Sequence, residues 1–221
     1  MNRLLHLAVI AGSFIAITAF AQAPAVQPGA QPSASPDLTK AQNIVKDVCS
    51  ACHGVDGNSA IPANPSVAGQ PAEYITLQLA HFQSDLRVNP VMKAMTATLQ
   101  PADIKALGVY YSQQKPSGLG GKDAALAKVG QKLFRGGDSA AGIPACAACH
   151  GPNGAGIPKN YPRLAGQHAD YTLAQLKAFK AGERGADKDG KDVNGRIMAM
   201  VAAKMSEAQM KAVAEYASGL R

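Results

Sequence analysis

Apolar positions along the chain recur with helical spacing, and we find no alternating apolar–polar stretch of the kind that predicts a β-strand. The clearest stretch places four apolar residues on one helical face: Ile75, Leu79, Phe82 and Leu86. Pro71 precedes this stretch at a position typical of a first helical turn. Ser206 and Gln209 have the spacing of a capping box, which predicts the start of a last helix. The pattern therefore predicts an all-α protein.

Residues 1–21 have the pattern of a signal peptide. Arg3 supplies a positive charge, the run from Leu4 to Phe20 is almost entirely apolar, and small residues around Ala21 offer a cleavage site. The run approaches the length that spans a membrane, so an uncleaved anchor is the alternative. We expect a cleaved signal and export to the periplasm.

Two segments predict breaks between folded parts. Residues 22–36 consist mainly of Pro, Ala, Gln and Ser without charge, which favours a disordered tether. Residues 116–121 (PSGLGG) are typical of a linker. These breaks predict one domain over residues 37–115 and a second over residues 122–221.

The two predicted domains are copies of one unit. A shift of 97 residues matches the cysteines, glycines and aromatic residues of the first copy with those of the second, as far as Arg87 and Arg184. The second copy then inserts nine residues around positions 185–195, after which a shift of 106 matches Met92 with Met198. Each copy is predicted to contain a helix before its cysteines, an irregular Gly/Pro-rich loop, a middle helix and a terminal helix.

Composition indicates that each core needs more apolar volume than the side chains supply. The chain has no Trp, and only 5% of its residues are aromatic. A large apolar cofactor in each domain would supply the missing volume.

The four cysteines form two Cys-x-x-Cys-His motifs, which is the attachment signal for haem c. Thiols three residues apart match the two porphyrin vinyl groups, and the following His is placed to bind the iron. We therefore predict thioether bonds at Cys49, Cys52, Cys146 and Cys149, with His53 and His150 as iron ligands. Disulfides, a zinc site and a thioredoxin-like redox pair are the weaker alternatives, because none of them explains a His after both pairs.

The repeat selects candidates for the sixth iron ligand. Met92 and Met198 are the only methionines that are Met in both copies, so we predict that they are the axial ligands. Met205 matches Leu99 and is expected in the core. His81 and His168 do not repeat and are expected at the surface or in an interface. Pro65 and Pro162 each lie twelve residues after the ligand His, so their carbonyls could accept its ring N–H, although each could equally be an ordinary loop proline.

Charge is divided unequally between the copies. Residues 37–115 contain six basic and six acidic residues, whereas residues 116–221 contain 15 basic and nine acidic residues, a formal charge of +6. The excess indicates either a soluble surface or a docking face for an acidic protein or an anionic membrane. The basic residues are scattered and lack interleaved aromatic residues, which argues against nucleic-acid binding.

From Leu38 to Arg221 the chain resembles the dihaem cytochrome c4 family. The resemblance lies in the strings SACHG and AACHG, PSVAGQ and PRLAGQ, FRGG at 134–137, and IM followed by AAK at 197–204. It implies two class I cytochrome c folds, His53 paired with Met92, His150 paired with Met198, and the carbonyl role for Pro65 and Pro162. It also implies a periplasmic protein that can associate with the membrane and passes electrons toward terminal oxidases.

These features favour an electron carrier over an enzyme. Two six-coordinate irons leave no position for a substrate, which argues against a small dihaem peroxidase, and a sulfur-compound dehydrogenase would need a Cys ligand that is absent. A third hypothesis is that the chain is the cytochrome subunit of a larger membrane complex. We expect redox protein partners such as a quinol-oxidising complex and a terminal oxidase.

Overall fold

The computed structural model describes residues 35–187 and 189–221, and this part of the chain is built from α-helices. The predicted signal peptide and residues 22–34 of the predicted tether lie outside it. The described residues contain no sheet, only three isolated β-bridges, which confirms the all-α prediction. No helix in them is long and apolar enough to cross a membrane.

The first half begins with a helix that runs directly into the first cysteine motif. Asp37 caps this helix by accepting a hydrogen bond from the backbone N–H of Lys40 at 2.9 Å. The helices of this half are α1 (Leu38–Ile44), a π-helical turn (Val45–Cys49), α2 (Ser50–His53), α3 (Ala72–Gln83), α4 (Pro90–Thr96) and α5 (Pro101–Ser112). The continuous path from α1 to α2 fixes the direction in which the motif leaves the core.

The second half repeats this order. Its helices are α6 (Ala124–Gly136), α7 (Ala147–His150), α8 (Ala169–Ala181), α9 (Val193–Ala203) and α10 (Glu207–Gly219). The predicted capping box opens α10: the Ser206 N–H donates to Gln209 Oε1 at 2.8 Å, and the Gln209 N–H donates to Ser206 Oγ at 3.2 Å. That prediction is confirmed.

Helix α3 is shorter than the apolar spacing predicts. It ends at Gln83, so Leu86 lies beyond it rather than on its apolar face. The chain leaves the helix through Asp85, whose φ of 60° lies in the left-handed region. This turn brings Arg87 into an antiparallel bridge with Arg184, so a contact between the halves overrides the local helical pattern.

Each half has its own hydrophobic core. The first consists of Ala41, Val45, Ile75, Ala106, Leu107 and Tyr111. The second consists of Leu133, Phe134, Ile143, Leu176, Phe179, Ala202, Met205, Met210 and Val213. A glycine permits the closest helix contact in each: a Cβ on Gly108 would lie 2.5 Å from Ala72 O, and one on Gly130 would lie 1.9 Å from Ala212 O. Met205 is core, as predicted.

Two arginines lie in the interface between the halves and exchange partners across it. Arg87 donates to Tyr171 Oη at 2.7 Å and to Gln175 Oε1 at 2.9 Å. Arg184 of the second half donates to the equivalent residues of the first half, Tyr74 Oη at 3.0 Å and Gln78 Oε1 at 3.0 Å. Hydrogen bonds donated by half-buried guanidinium groups make the interface specific as well as close.

His81 and Asp192 form a second, asymmetric contact between the halves. His81 lies buried on α3 with Nδ1 3.8 Å from Asp192 Oδ2, and that nitrogen has no hydrogen-bond partner. Asp192 belongs to the inserted segment and caps α9 by accepting from the Gly195 N–H at 2.9 Å. Burial lowers the pKa of His81 from its ordinary value of 6.5; the Asp192 and Asp187 carboxylates oppose this, and the Arg184 and Arg87 guanidiniums add to it.

We expect acid to lower the stability of the folded protein through His81, because burial disfavours the protonated ring. Because the folded state holds His81 at a lowered pKa, the unfolded chain takes up the proton first. The stability from neutral His81 is therefore fully present above pH 6.5 and falls as the pH drops through that value. Thermal unfolding of the haem-loaded protein at pH 7 and pH 5 should show a smaller acid loss in His81→Ala, which installs the residue at the matching position, Ala178.

The matched variant is Asp192→Asn. Asn caps a helix as well as Asp does, but it removes the charge that favours protonated His81. The acid loss should therefore be larger in Asp192→Asn than in the parent protein. Equal acid losses in all three proteins would contradict a role for His81.

Candidate functional sites

Each Cys-x-x-Cys-His motif forms a single helical turn with its histidine at the end. The turns are α2 and α7. The first cysteine of each motif, Cys49 or Cys146, is the N-cap residue, and the second follows three residues later within the turn, a spacing that places both on one helical face. The following residue is Gly54 or Gly151, with φ of 75° or 82°. This backbone, which favours glycine, turns the chain away directly after the histidine.

All four thiols are free, and no disulfide joins them. Burial raises the pKa of Cys49, and it raises the pKa of Cys146 to about 11. A thioredoxin-like redox cysteine needs a lowered pKa instead, so the environment argues against that alternative. Among the described residues there is no cluster of three or more His, Cys, Asp or Glu side chains that could hold a metal ion.

Both motif histidines are held by a backbone carbonyl. His53 Nδ1 lies 2.9 Å from Pro65 O, and His150 Nδ1 lies 2.9 Å from Pro162 O. When Nδ1–H donates to the carbonyl, Nε2 carries the free lone pair and can bind a metal. Burial lowers the pKa of both rings, an effect that the carbonyl contacts oppose, so the neutral form that a metal requires is favoured.

A glycine carbonyl closes the loop that brings each proline to its histidine. Gly57 O accepts hydrogen bonds from the backbone N–H groups of Val67 at 2.7 Å and Ala68 at 3.0 Å. Gly154 O does the same in the second half, with N–H donors at 2.8 and 2.9 Å. A Cβ on Gly57 would lie 2.8 Å from Ala68 N, so the close approach requires glycine there. The loop of each half is thus built to place one carbonyl beside one imidazole.

Burial separates the candidate axial methionines from the others. Met92 on α4 and Met198 on α9 are half-buried, and Met198 packs against the second core. Met95 and Met200 are 43% and 62% exposed, whereas Met205 and Met210 are almost fully buried core residues. Met92 and Met198 are thus partly shielded from solvent without being fully buried core residues, and their ligand role stays a prediction.

Sequence reasoning missed two features. Helices α4 and α9, which carry the two candidate methionines, were not predicted, because α4 is only seven residues long and its buried residue is Thr96. Gln70 and Gln167 were noted only as repeated residues, yet both are buried and reach across the interface between the halves. Their recurrence in the two AGQ strings was the available signal.

Comparison with known protein families assigns both halves. The family described as "Cytochrome c" matches residues 127–220, and the family described as "Cytochrome C oxidase, cbb3-type, subunit III" matches residues 36–110. The chain is 43% identical over 183 residues to "Cytochrome c4" of Stutzerimonas stutzeri, covering 78% of this chain and 84% of that protein. It is 42% identical over 171 residues to "Thiosulfate dehydrogenase electron acceptor" of Thiomonas intermedia, covering 76% of each.

Solved structures give the same likeness. The reduced recombinant cytochrome c4 from Pseudomonas stutzeri matches with a TM-score of 0.77 at 41% identity, over 85% of this chain and all of that one. The thiosulfate dehydrogenase from Marichromatium purpuratum matches with a TM-score of 0.73 at 28% identity, over 83% of this chain and 40% of that one.

The ligand assignment predicts a spectroscopic outcome. In the haem-loaded protein, Met92→Ala and Met198→Ala should each remove about half of the weak sulfur-to-iron absorption band at the red end of the oxidised spectrum, because each variant deprives one iron of its thioether ligand. The exposed methionines provide matched controls. Met95→Ala and Met200→Ala should leave the band intact, and loss of the band in these two variants would show that the repeat was aligned wrongly.

Proposed function

Because the chain belongs to the dihaem cytochrome c4 family, we propose that it carries electrons from a quinol-oxidising complex to a terminal oxidase in a bacterial respiratory chain. Family membership makes it an electron-transfer protein with two covalent haem c groups, not an enzyme. The donor, the acceptor and the direction of transfer are the proposed parts. The observation that carries the proposal is the duplicated ligand arrangement, a neutral imidazole held by a proline carbonyl in each half.

The residues of each half fit a covalent haem. Two free thiols three residues apart could form the thioether bonds, the adjacent histidine could bind iron through Nε2, and one half-buried methionine could supply a thioether sulfur to the iron. In the first half these residues are Cys49, Cys52, His53 and Met92; in the second they are Cys146, Cys149, His150 and Met198. When bound, each haem iron supplies one reversible electron.

The protein's own contribution is to hold two such sites in fixed geometry. The carbonyl contacts hold each imidazole in one tautomer, and the buried interface holds the halves together in one compact unit. A rigid arrangement suits electron transfer, since little reorganisation is needed when an electron arrives or leaves.

A second donor is favoured by the relatives. Two of them, from Thiomonas intermedia and Stutzerimonas stutzeri, are named thiosulfate dehydrogenase electron acceptors, at 42% and 36% identity. By analogy, this chain would accept electrons from a thiosulfate-oxidising enzyme. That role changes the donor and leaves the carrier function as it stands.

The proposed location is the periplasm, reached through a signal peptide cleaved after residue 21, with peripheral membrane association as an option. Support comes from the charged, apolar and small-residue regions of residues 1–21. Mass spectrometry of protein released from the periplasm should give the chain from residue 22 plus two haem masses. An intact amino terminus recovered only from membranes would establish the uncleaved anchor instead.

The basic second half is the proposed face for an acidic partner. Among the described residues, Lys159 forms no ion pair with a carboxylate. Lys204 forms none either, and its Nζ donates to the carbonyl of Gly142 at 2.9 Å. Arg163 is less suitable, because its Nε donates to Ala165 O at 3.1 Å in a half-buried position. In the first half, Lys40 is ion-paired with Asp103 at 2.5 Å. Haem propionates lower the charge of both halves.

The test is delivery of electrons to oxidase-containing membranes of the host bacterium. Reduced, haem-loaded protein should stimulate oxygen uptake, and the rate should fall several-fold as salt is raised, because screening weakens steering between charged partners. Charge reversal at Lys159 and Lys204 should slow uptake. Lys46→Glu is the matched control in the first half, since Lys40→Glu would also break the ion pair with Asp103.

The donor is tested with the same protein. Oxidised carrier should be reduced rapidly by a quinol-oxidising complex with quinol, and reduction only by thiosulfate dehydrogenase with thiosulfate would select the second donor. Absence of stimulated oxygen uptake would reject the oxidase as acceptor. Equal effects of charge reversal in both halves would reject the second half as the docking face.

A further inference from the structure

Two buried glutamines reach across the interface and each binds the backbone of one residue in the opposite half. Gln70 Oε1 accepts from the Arg163 N–H at 2.9 Å, and Gln70 Nε2 donates to the Arg163 carbonyl at 2.8 Å. Gln167 repeats this in reverse: its Oε1 accepts from the Ser66 N–H at 2.9 Å, and its Nε2 donates to the Ser66 carbonyl at 2.8 Å. Both side chains are only 6% exposed.

The residues that these glutamines bind follow the two prolines that hold the histidines. A peptide group is a rigid plane that contains the carbonyl of one residue and the N–H of the next. The Arg163 N–H bound by Gln70 therefore belongs to the same peptide group as Pro162 O, which lies 2.9 Å from His150 Nδ1. A single peptide plane thus joins a side chain of the first half to the candidate iron ligand of the second.

The same chain of contacts runs in the other direction. Gln167 binds the Ser66 N–H, which shares its peptide group with Pro65 O, and that oxygen lies 2.9 Å from His53 Nδ1. Gln167 Oε1 also accepts from the His168 N–H at 3.0 Å, and His168 Nε2 lies 2.8 Å from Ser59 O in the first half. Gln167 therefore holds this peptide directly from the other half, and His168 adds a second contact across the interface at Ser59.

We propose that Gln70 and Gln167 are positioning residues for the iron-ligating histidines of the opposite half, so that each half tunes the reduction potential of the other half's haem. The proposal rests on His53 and His150 as haem ligands and is independent of the identity of the redox partners. An acceptor at a peptide N–H polarises the carbonyl of the same peptide and makes it a stronger acceptor for the imidazole N–H. A stronger acceptor makes the imidazole more electron-donating, which stabilises the oxidised iron.

The direction in which the reduction potential changes follows from this series of hydrogen bonds. Loss of the glutamine amide weakens the carbonyl, makes the histidine a weaker donor and raises the reduction potential of that iron. Gln70→Ala should therefore raise the potential of the second half's haem, and Gln167→Ala should raise that of the first half's haem. The crossed pattern distinguishes positioning from local damage, because local damage would appear in the half that carries the substitution.

The experiment uses the full-length, haem-loaded protein. Redox titration measures the two potentials, and proton NMR of the oxidised protein measures the shifted signals of each haem and ligand histidine, assigned by through-space contacts within each half. We expect Gln70→Ala to shift the His150 and second-haem signals and Gln167→Ala to shift the His53 and first-haem signals. Shifts confined to the substituted half would overturn the proposal.

Matched controls lie in the same interface. Gln78 and Gln175 also cross it, but they bind Arg184 and Arg87 rather than a proline–histidine peptide. Gln78→Ala and Gln175→Ala should leave both reduction potentials near those of the parent protein. If they shift the potentials as much as Gln70→Ala does, the cause is a general loosening of the interface and the proposal is wrong. Gln70→Glu keeps an oxygen that can accept from the Arg163 N–H, so its potentials should lie closer to the parent's than those of Gln70→Ala do. Equal shifts in the Glu and Ala variants would contradict the proposal.

Discussion

The contact between a motif histidine and a proline carbonyl is the interaction on which the rest of each half depends. An imidazole presents a defined lone pair to a metal only when its other nitrogen is protonated and held. In this protein the holding group is a backbone oxygen 2.9 Å away, in both halves. That oxygen reaches the ring because the loop after each motif is closed by hydrogen bonds to a glycine carbonyl. In the first half that residue is Gly57, where a larger residue would clash with the backbone of Ala68. Local backbone geometry therefore determines how the candidate iron ligand is presented.

Both copies of the repeat contribute to the interface between the halves, and residues at equivalent positions make equivalent contacts across it. Arg87 and Arg184, and Gln70 and Gln167, form reciprocal pairs because each residue of one half meets the equivalent surface of the other. His81 and Asp192 break the symmetry, since one matches Ala178 and the other lies in the insertion. The symmetric contacts suit a stable joint between equal halves. The asymmetric contact gives the two halves different environments.

The sequence allowed the chemistry to be predicted better than the packing. The cysteine motifs and the capping box at Ser206 depend on short spacings, and the choice of Met92 and Met198 depends on the repeat; both kinds of pattern are visible without a structure. Leu86 was misplaced because the chain turns after α3 toward the bridge between Arg87 and Arg184, and that contact joins residues that are 97 positions apart. The partners of Gln70 and Gln167 were equally invisible, since each hydrogen bond joins residues about 100 positions apart. Repetition showed that these glutamines recur, and only the fold showed what they bind.

Contacts that cross an interface act in both directions, which limits how the two sites can influence each other. If a change at one iron alters the strength of the hydrogen bond between its histidine and the proline carbonyl, the strength of the glutamine's hydrogen bond to the same peptide changes as well. The free energy of coupling is then equal whichever site changes first, because linkage between two equilibria is reciprocal. Two mirror-image chains, from Gln70 to His150 and from Gln167 to His53, connect the same pair of sites. On our proposal, the two potentials belong to the pair of halves, because an isolated half would lose the glutamine that supports its candidate ligand histidine.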